Sequence, residues 1–512
     1  MIPIPDSFIS ALRRISFPDA DLLAAALDTP PATAVRRNHH KDLQFTEMPA
    51  VAATGEPIGW CADGFRLAER PTFTLDPLLH AGAYYVQDPS SMIYQQIADR
   101  ICSRMEREGR DFENDPLAAL DFCAAPGGKT TAMINALPYG SRVVANEFTP
   151  ARGKILRENL EKWGYPFVVT TGSASDRFAA VDDAFDIVAV DAPCSGEGMM
   201  RKDEQARRQW SESLTRECAT LQRSILKDVA HCVKPGGWLI YSTCTFNTLE
   251  NEENARFIRE ELGFEPVAMS DLGVGGFEEG DRPAGSLAED VEALRFMPHL
   301  TRGEGLFVAV FRRPTADGDD AGTELPLGVV PFASRPTIRP TIRPTRSGGK
   351  RAARQKGRDD DAAAGLLTAD ARSEILGWID PAVTPTLAAS GAMVTMLPDS
   401  MSALTERMRR AGVNVTGAGL PVAELRGKAK NVAVMPDSRL ALSMAMRADA
   451  FPRVELDRET ALAYLRRETI TLPTNIPAGY VVVTYKERPL GMVKNIGNRA
   501  NNLYPAAWRI RI

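Results

Sequence analysis

Two cysteines give the first chemical signal. Cys194 stands in "VAVDAPCSGEG" and Cys244 in "GGWLIYSTCT". Each follows an apolar, strand-like run and sits on a strand-end turn beside Asp, Ser or Thr. A buried cysteine is normally a small hydrophobe, and that reading suits Cys102, Cys218 and Cys232. It suits Cys194 and Cys244 badly. In an open α/β sheet the carboxyl ends of the strands face the ligand crevice. Two thiols from adjacent strands, with Asp191 just ahead of the first, could then meet one substrate. A thiolate there could form a covalent intermediate and split one hard step into two easier ones.

A third stretch, "DFCAAPGGKTT" from Asp121 to Thr131, raises a choice of ligand. Gly128-Lys129-Thr130 ends like a phosphate-cradling G-x-x-x-x-G-K-[ST] loop, with Asp191 as a magnesium aspartate further on. Cys123 holds the place of that pattern's first glycine, and Pro126 interrupts the cradle. The loop still joins a strand to a helix, where a glycine turn lets a ligand approach the backbone. The next strand, "RVVANE", ends in Glu147, about 20 residues on, where an acid binds the two hydroxyls of a ribose. A loop that holds a nucleoside without a phosphate cage suits S-adenosylmethionine.

These residues need a scaffold. From 76 to 313 the runs "LAALDF", "RVVANE", "FVVTT", "FDIVAVD", "WLIYST" and "GLFVAVF" alternate with helical stretches. Such alternation predicts a mostly parallel sheet with helices on both faces. Between Ser213 and Lys234 the steps Leu214, Cys218, Leu221, Ile225, Val229 and Cys232 predict one buried helix face, ended by "KPGG". Residues 1–75 form an N-terminal α/β extension of short helical patterns among Pro and Gly. Residues 314–363 read as a basic, Pro-rich linker. Arg335 to Arg358 carries nine Lys or Arg and no Asp or Glu, so it is expected to be an extended spacer or an arm on phosphates. Residues 364–435 read as a small α/β domain. Residues 436–512 read as a small RNA-binding barrel, with "GYVVVTYKERPLGMVKN" as its hairpin and aromatics interleaved with cations near the end.

Bulk properties fit a folded multidomain chain. The 512 residues predict about three or four domains. Net charge is −5, so any nucleic-acid surface must be local. Seven cysteines with no C-x-x-C pair argue for free thiols, neither disulfide framework nor zinc site, and a cytoplasmic location. The N-terminal stretch lacks signal-peptide character, and no apolar run approaches the ~18–20 residues of a membrane span.

Together, "DFCAAPGGKT", "DAPCSGEG" and "YSTCT" resemble the signature motifs of the Sun-type RNA cytosine-5 methyltransferases. "AGAYYVQDPSSM" is similar to the segment leading into that family's catalytic sheet, and "GMVKNIGNRANNLYP" resembles its bacterial small-subunit rRNA (RsmF-like) branch. The resemblance implies a Rossmann-like class I methyltransferase sheet over 76–313 and a PUA-like module over 436–512. It implies S-adenosylmethionine as cofactor, no metal, and RNA as partner: small-subunit rRNA or the assembling subunit, with tRNA as the alternative. Cys244 would attack carbon 6 of the pyrimidine, and Cys194 would assist loss of the carbon-5 proton and release. Asp191 would face the pyrimidine edge. Cys194 remains a rival nucleophile, because cytosine-5 DNA enzymes use a "PC" cysteine. Cofactor contacts would fall on Cys123, Ala124, Ala125, Pro126, Gly127, Gly128, Lys129, Glu147, Arg152 and Asp191. Ser173 takes the place of the family's adenine-binding aspartate, with Asp176 as a compensating acid. Arg201 and Lys202 would grip phosphate or be a solvated pair. The other classes weighed are a P-loop NTPase acting on RNA and a non-catalytic ribosome-assembly factor.

Overall fold

A computed structural model of the chain describes residues 2–15, 17, 19–315, 367–428 and 431–511. From 316 onward the expected basic linker lies outside the described residues. The centre is a ten-stranded sheet. Five strands run parallel: Ala118–Asp121 (β1), Arg142–Asn146 (β2), Val168–Thr171 (β3), Phe185–Asp191 (β4) and Val233–Thr243 (β5). Leu306–Arg312 (β6) lies antiparallel to β5, and Val415–Ala418 (β7) antiparallel to β3. The order β6-β5-β4-β1-β2-β3-β7 reverses direction between β1 and β4. That reversal opens a crevice at their carboxyl ends. All six apolar runs expected to be strands are strands. "FDIVAVD" is buried at every position but the last, as a strand covered on both faces must be.

Helices Ile93–Arg107 (α1), Gly128–Ala136 (α2), Pro150–Trp163 (α3), Glu212–Val229 (α4) and Glu252–Glu260 (α5) complete the layer. Ser211 caps α4 by accepting the Leu214 N–H at 3.1 Å. The buried face of α4 differs from the expected one. Leu221 is 49% exposed, and Thr215, Ala219 and Gln222 are buried instead. Gln222 tolerates burial because its amide is fully used around the thiol turns. The "KPGG" expected to end the helix lies inside β5, after a 3-10 turn at Ala230–Cys232.

The N-terminal sheet, Glu56–Ile58, Cys61–Leu67, Thr33–Arg37 and Tyr84–Val86, is antiparallel and packs on α2. Its Arg36 is fully buried. The guanidinium donates to Gln87 Oε1 at 2.9 Å and Thr131 Oγ1 at 2.6 Å, and stacks 4.9 Å from the Trp163 ring. Burial lowers its pKa to about 10, still leaving it charged at neutral pH. The cofactor-loop helix is therefore clamped from outside the sheet.

Two further four-stranded sheets follow. One contains Pro385–Ser390, Met393–Pro398, Leu420–Lys428 and Asn431–Pro436; the other contains Arg453–Glu455, Gly479–Tyr485, Arg488–Asn495 and Ala500–Asn502. The expected hairpin is present as Gly479–Tyr485 against Arg488–Asn495. One feature has no precursor in the sequence patterns: β7 comes from the C-terminal half and extends the central sheet. Apolar packing is continuous across that join, from Val169 and Leu160 to Met396 and Val413. Gly164 ends α3 with φ +84, and a Cβ there would meet Leu442 O at 2.2 Å, so the close approach needs glycine. Among the described residues no helix is long and apolar enough to cross a membrane.

Candidate active site

The thiols meet. β4 and β5 pair Asp191 with Ser242, so the turns that follow them lie side by side. Cys194 Sγ lies 3.0 Å from Cys244 Sγ. Main-chain bonds join the turns: Ala192 N–H donates to Ser242 O at 2.9 Å, and Gly198 N–H to Cys244 O at 2.8 Å. The hydrogen bond with Cys244, burial, and the nearby Cys244 and Glu250 charges push the Cys194 thiol well above the ordinary range. Cys194 is thus held toward its protonated form, within hydrogen-bond distance of the neighbouring sulfur.

Asp191 anchors a polar chain under this pair. Its Oδ1 accepts from Ser242 Oγ at 2.6 Å, and that hydroxyl pairs with Tyr94 at 2.8 Å. Its Oδ2 lies 2.7 Å from Lys129 Nζ. Burial opposes the Lys129 charge, but Asp191 more than offsets it and raises the lysine's pKa. Lys129 was expected on the cofactor; here its ammonium is engaged with Asp191, 5.7 Å from the Tyr94 ring centroid. Thr130 donates to Asp121 Oδ2 at 2.6 Å. A phosphate cradle needs that lysine and that hydroxyl free for phosphate and magnesium. Both are committed inward, so the P-loop reading fails.

Main-chain and side-chain hydrogen bonds hold the rest of the loop. Ala124 N–H donates to Asn146 O at 2.9 Å, and Gly127 opens α2 with φ +108. Pro126 O accepts from Asn159 at 2.7 Å. Arg152 donates to Ala125 O at 2.6 Å and lies 3.5 Å from Glu147, tying the loop to the acid. Glu147 is 5% exposed at the end of β2. Burial, with the charges of Asp191, Asp121 and Glu147, raises Cys123 well above the ordinary thiol range, so it is no nucleophile. Ser173 is held at both main-chain groups by the Asn146 side chain, each bond 3.0 Å. Asp176 is exposed on the turn Ser175–Ala180. Arg201 departs from expectation: it is buried and donates to Thr29 O, Pro30 O and Gly303 O, so it grips no phosphate.

Comparison with known proteins gives the chain's family. The model described as 16S rRNA methyltransferase RsmB/F matches residues 111–312. The N-terminal domain of 16S rRNA methyltransferase RsmF matches 4–89, and the methyltransferase RsmF PUA domain matches 451–510. The ribosomal RNA small subunit methyltransferase F of Citrobacter koseri is 30% identical over 98% of this chain and 95% of its own length. The chain belongs to the RsmB/F family. Its Escherichia coli O127:H6 relative of the same description is 29% identical over 98% of the chain and 95% of the relative. The solved structure of PH0851 shares the fold, with a TM-score of 0.51 and 21% identity over 60% of this chain and 66% of that one.

This RsmB/F member is thus an S-adenosylmethionine-dependent methyltransferase acting on RNA. The residues present fit that cofactor. Glu147 offers a buried carboxylate at the strand end where an acid would hold a ribose, and Asp121 Oδ1 is a buried acceptor without a hydrogen-bond partner among the described residues. Among the described residues no cluster of His, Cys, Asp and Glu could hold a metal.

Several working residues of this RsmB/F chain escaped sequence reasoning. Glu250 is fully buried; its Oε2 accepts from Ser195 N at 3.0 Å and Gln222 at 2.7 Å, and its Oε1 from Asn247 at 2.8 Å. Glu197 accepts the Phe246 and Asn247 N–H groups and the Trp210 indole. Gln222 also donates to Pro193 O at 2.9 Å. These groups fix both thiol turns from behind. For Glu250 the only signal was "FNTLENEEN", a polar run that by itself reads as a solvated loop.

Proposed function

We propose that this enzyme methylates carbon 5 of a cytosine in small-subunit rRNA through a covalent cysteine adduct. The observation that carries the reading is the 3.0 Å contact of Cys194 with Cys244 beside Asp191. Carbon 5 of cytosine is a poor nucleophile. The Cys244 thiolate adds to carbon 6, forming an Sγ–C6 bond and making carbon 5 enamine-like. Bound in the neighbouring crevice, S-adenosylmethionine supplies an electrophilic methyl for carbon 5. The carbon-5 proton is then lost to a base, the Sγ–C6 bond breaks, and its electron pair returns to Cys244. Asp191, held by Lys129 and Ser242, faces the pyrimidine edge, where charge develops on addition. Cys194 holds a proton against the sulfur that attacks and leaves. The target base must be unpaired or flipped, because a stacked ring hides the face that Cys244 needs.

Similarity over 98% of the chain to enzymes described as ribosomal RNA small subunit methyltransferases favours that substrate over tRNA, and free cysteines suit a reducing cytoplasm as the place of action. The test is methylation of naked 16S rRNA, small subunits and tRNA with labelled S-adenosylmethionine, followed by bisulfite mapping. Label at a bisulfite-resistant cytosine of 16S rRNA, lost in Cys244→Ala, is expected. Label confined to tRNA, or undiminished in Cys244→Ala, refutes the reading.

A further inference from the structure

The strand added by the C-terminal half brings one side chain into a cavity that Glu147 also lines. Asn414, just ahead of β7, accepts the Gly172 N–H at its carbonyl at 2.8 Å. Its own N–H donates to Ser173 Oγ at 2.8 Å. Thr416 continues the seam, donating to Thr170 O at 3.1 Å. These main-chain bonds pin Asn414 whatever its side chain does.

The side chain is left to act. Asn414 Nδ2 reaches Gly172 O only at 3.4 Å, and Oδ1 accepts no hydrogen bond from any described residue. Asn414 lines a cavity of about 440 Å³ that Glu147, Phe148 and Gly172 bound at the strand ends and that continues along Lys154, Arg157 and Glu158 of α3, within the usual range of about 300–1,000 Å³ for small-molecule pockets. A ribose held by Glu147 at the end of β2 would have room for its base toward the paired strand end, β3. Gly172, Ser173 and Asn414 stand there. Phe148 is 67% exposed at the same place, an uncovered ring suited to a purine face. The acceptors sequence reasoning offered are less well placed: Ser173 is buried, with one of its two acceptor positions taken by the Asn414 N–H, and Asp176 is exposed on its turn.

We propose that Asn414 recognises the cofactor's adenine, its Oδ1 accepting the exocyclic amino group. A carboxamide oxygen accepts from an adenine amino group without placing a further charge beside Glu147. The cofactor site is thus completed by a residue from beyond the linker. Cofactor binding and the seating of β7 on β3 are then coupled, each favouring the other. The inference rests on the reading of the Glu147 crevice as the ribose site.

The test is equilibrium binding, by the full-length chain, of S-adenosylhomocysteine and of its analogue whose purine lacks the 6-amino group. The wild type should prefer the amino compound about tenfold, the worth of one hydrogen bond. Asn414→Ala should bind both with nearly equal affinity. Asn414→Asp, which keeps the acceptor, should retain the preference. Should Asn414→Ala keep the tenfold preference, or weaken both compounds equally, the inference fails. If that variant does not fold, loss of preference in Asn414→Asp overturns it as well. Glu147→Ala should weaken both compounds; undiminished binding there removes the ribose reading, and this inference with it.

Discussion

Cys194 and Cys244 place their sulfurs 3.0 Å apart, within hydrogen-bond distance of each other. A hydrogen bond to a thiolate stabilises that thiolate. In the covalent adduct Cys244 carries no charge, so the same bond is worth far less. Cys194 therefore biases the equilibrium toward free enzyme, in addition and release alike. A hydrogen bond to a charged group contributes about 1.5–3 kcal/mol, so Cys194→Ala should shift the equilibrium toward the adduct by about ten- to a hundredfold. Denaturing gels of enzyme with RNA and cofactor read this directly. The adduct should accumulate in Cys194→Ala and be absent in Cys244→Ala. The reverse pattern would exchange the two roles.

Lys129 sits in a loop whose neighbours face the cofactor, yet its ammonium is 2.7 Å from Asp191. Removing it should impair the reaction more than cofactor binding. Lys129→Met leaves Asp191 without its cation just where charge develops on the pyrimidine. Loss of one such preorganised group costs about 10²–10³ in turnover. Calorimetry with S-adenosylhomocysteine should show affinity within about threefold of wild type, since a group that does not touch the ligand contributes little to its binding. A large loss of affinity with turnover intact would place Lys129 on the cofactor instead.

The sequence made the sheet legible because β4 and β5 are apolar on both faces and end in short polar turns. That pattern is local. It also placed Cys194 and Cys244, since strand ends in such a sheet converge by topology. What lay hidden depends on contacts between distant segments. Gln222 is on a helix face that periodicity assigns to Leu221, and it is buried because Glu250, 28 residues on, accepts from it. Asn414 lies 241 residues from the Ser173 hydroxyl it binds, and no periodicity spans that distance. Arg201 looked like a phosphate grip because its carbonyl partners near Thr29 and Gly303 leave no mark in sequence.

Glu250 is the sharpest test of that hidden layer. Burial, with Glu197 adding to it, raises its pKa, but three donors from the thiol turns and α4 converge on its carboxylate. Glu250→Ala strands those donors in the interior. Each unsatisfied buried group costs about 1–3 kcal/mol, so a loss near 3 kcal/mol overall is expected, read as a lower urea midpoint with unchanged slope. Glu250→Gln should lose less, because it keeps the volume and one acceptor. In both variants adduct formation should fall further than stability explains, as the Cys194 turn loosens. Wild-type adduct yield in a destabilised Glu250→Ala protein would confine the residue to folding.

A cofactor grip that draws on Asp121 is expected to depend on pH. It is 1% exposed, and burial raises its pKa from 3.8 to about 7. The unfolded chain ionises first, so in the free enzyme this residue's contribution to stability is fully present below about 3.8 and is lost as pH rises through about 7. Asp121→Asn lacks that loss and should be the more stable protein at pH 8, with the advantage vanishing near pH 4. Binding runs the other way. The unpaired Oδ1 serves a ligand donor best when the carboxylate is ionised. Affinity for S-adenosylhomocysteine should therefore rise with pH, by up to about tenfold per unit below 7, and level off above it. Calorimetry in buffers of different ionisation enthalpy should register proton release on binding below pH 7. Asp121→Asn should bind more weakly at pH 8, with no proton release. A wild-type affinity that is flat from pH 5.5 to 8 would mean that Asp121 does not meet the ligand, and that its burial serves only the Thr130 hydroxyl.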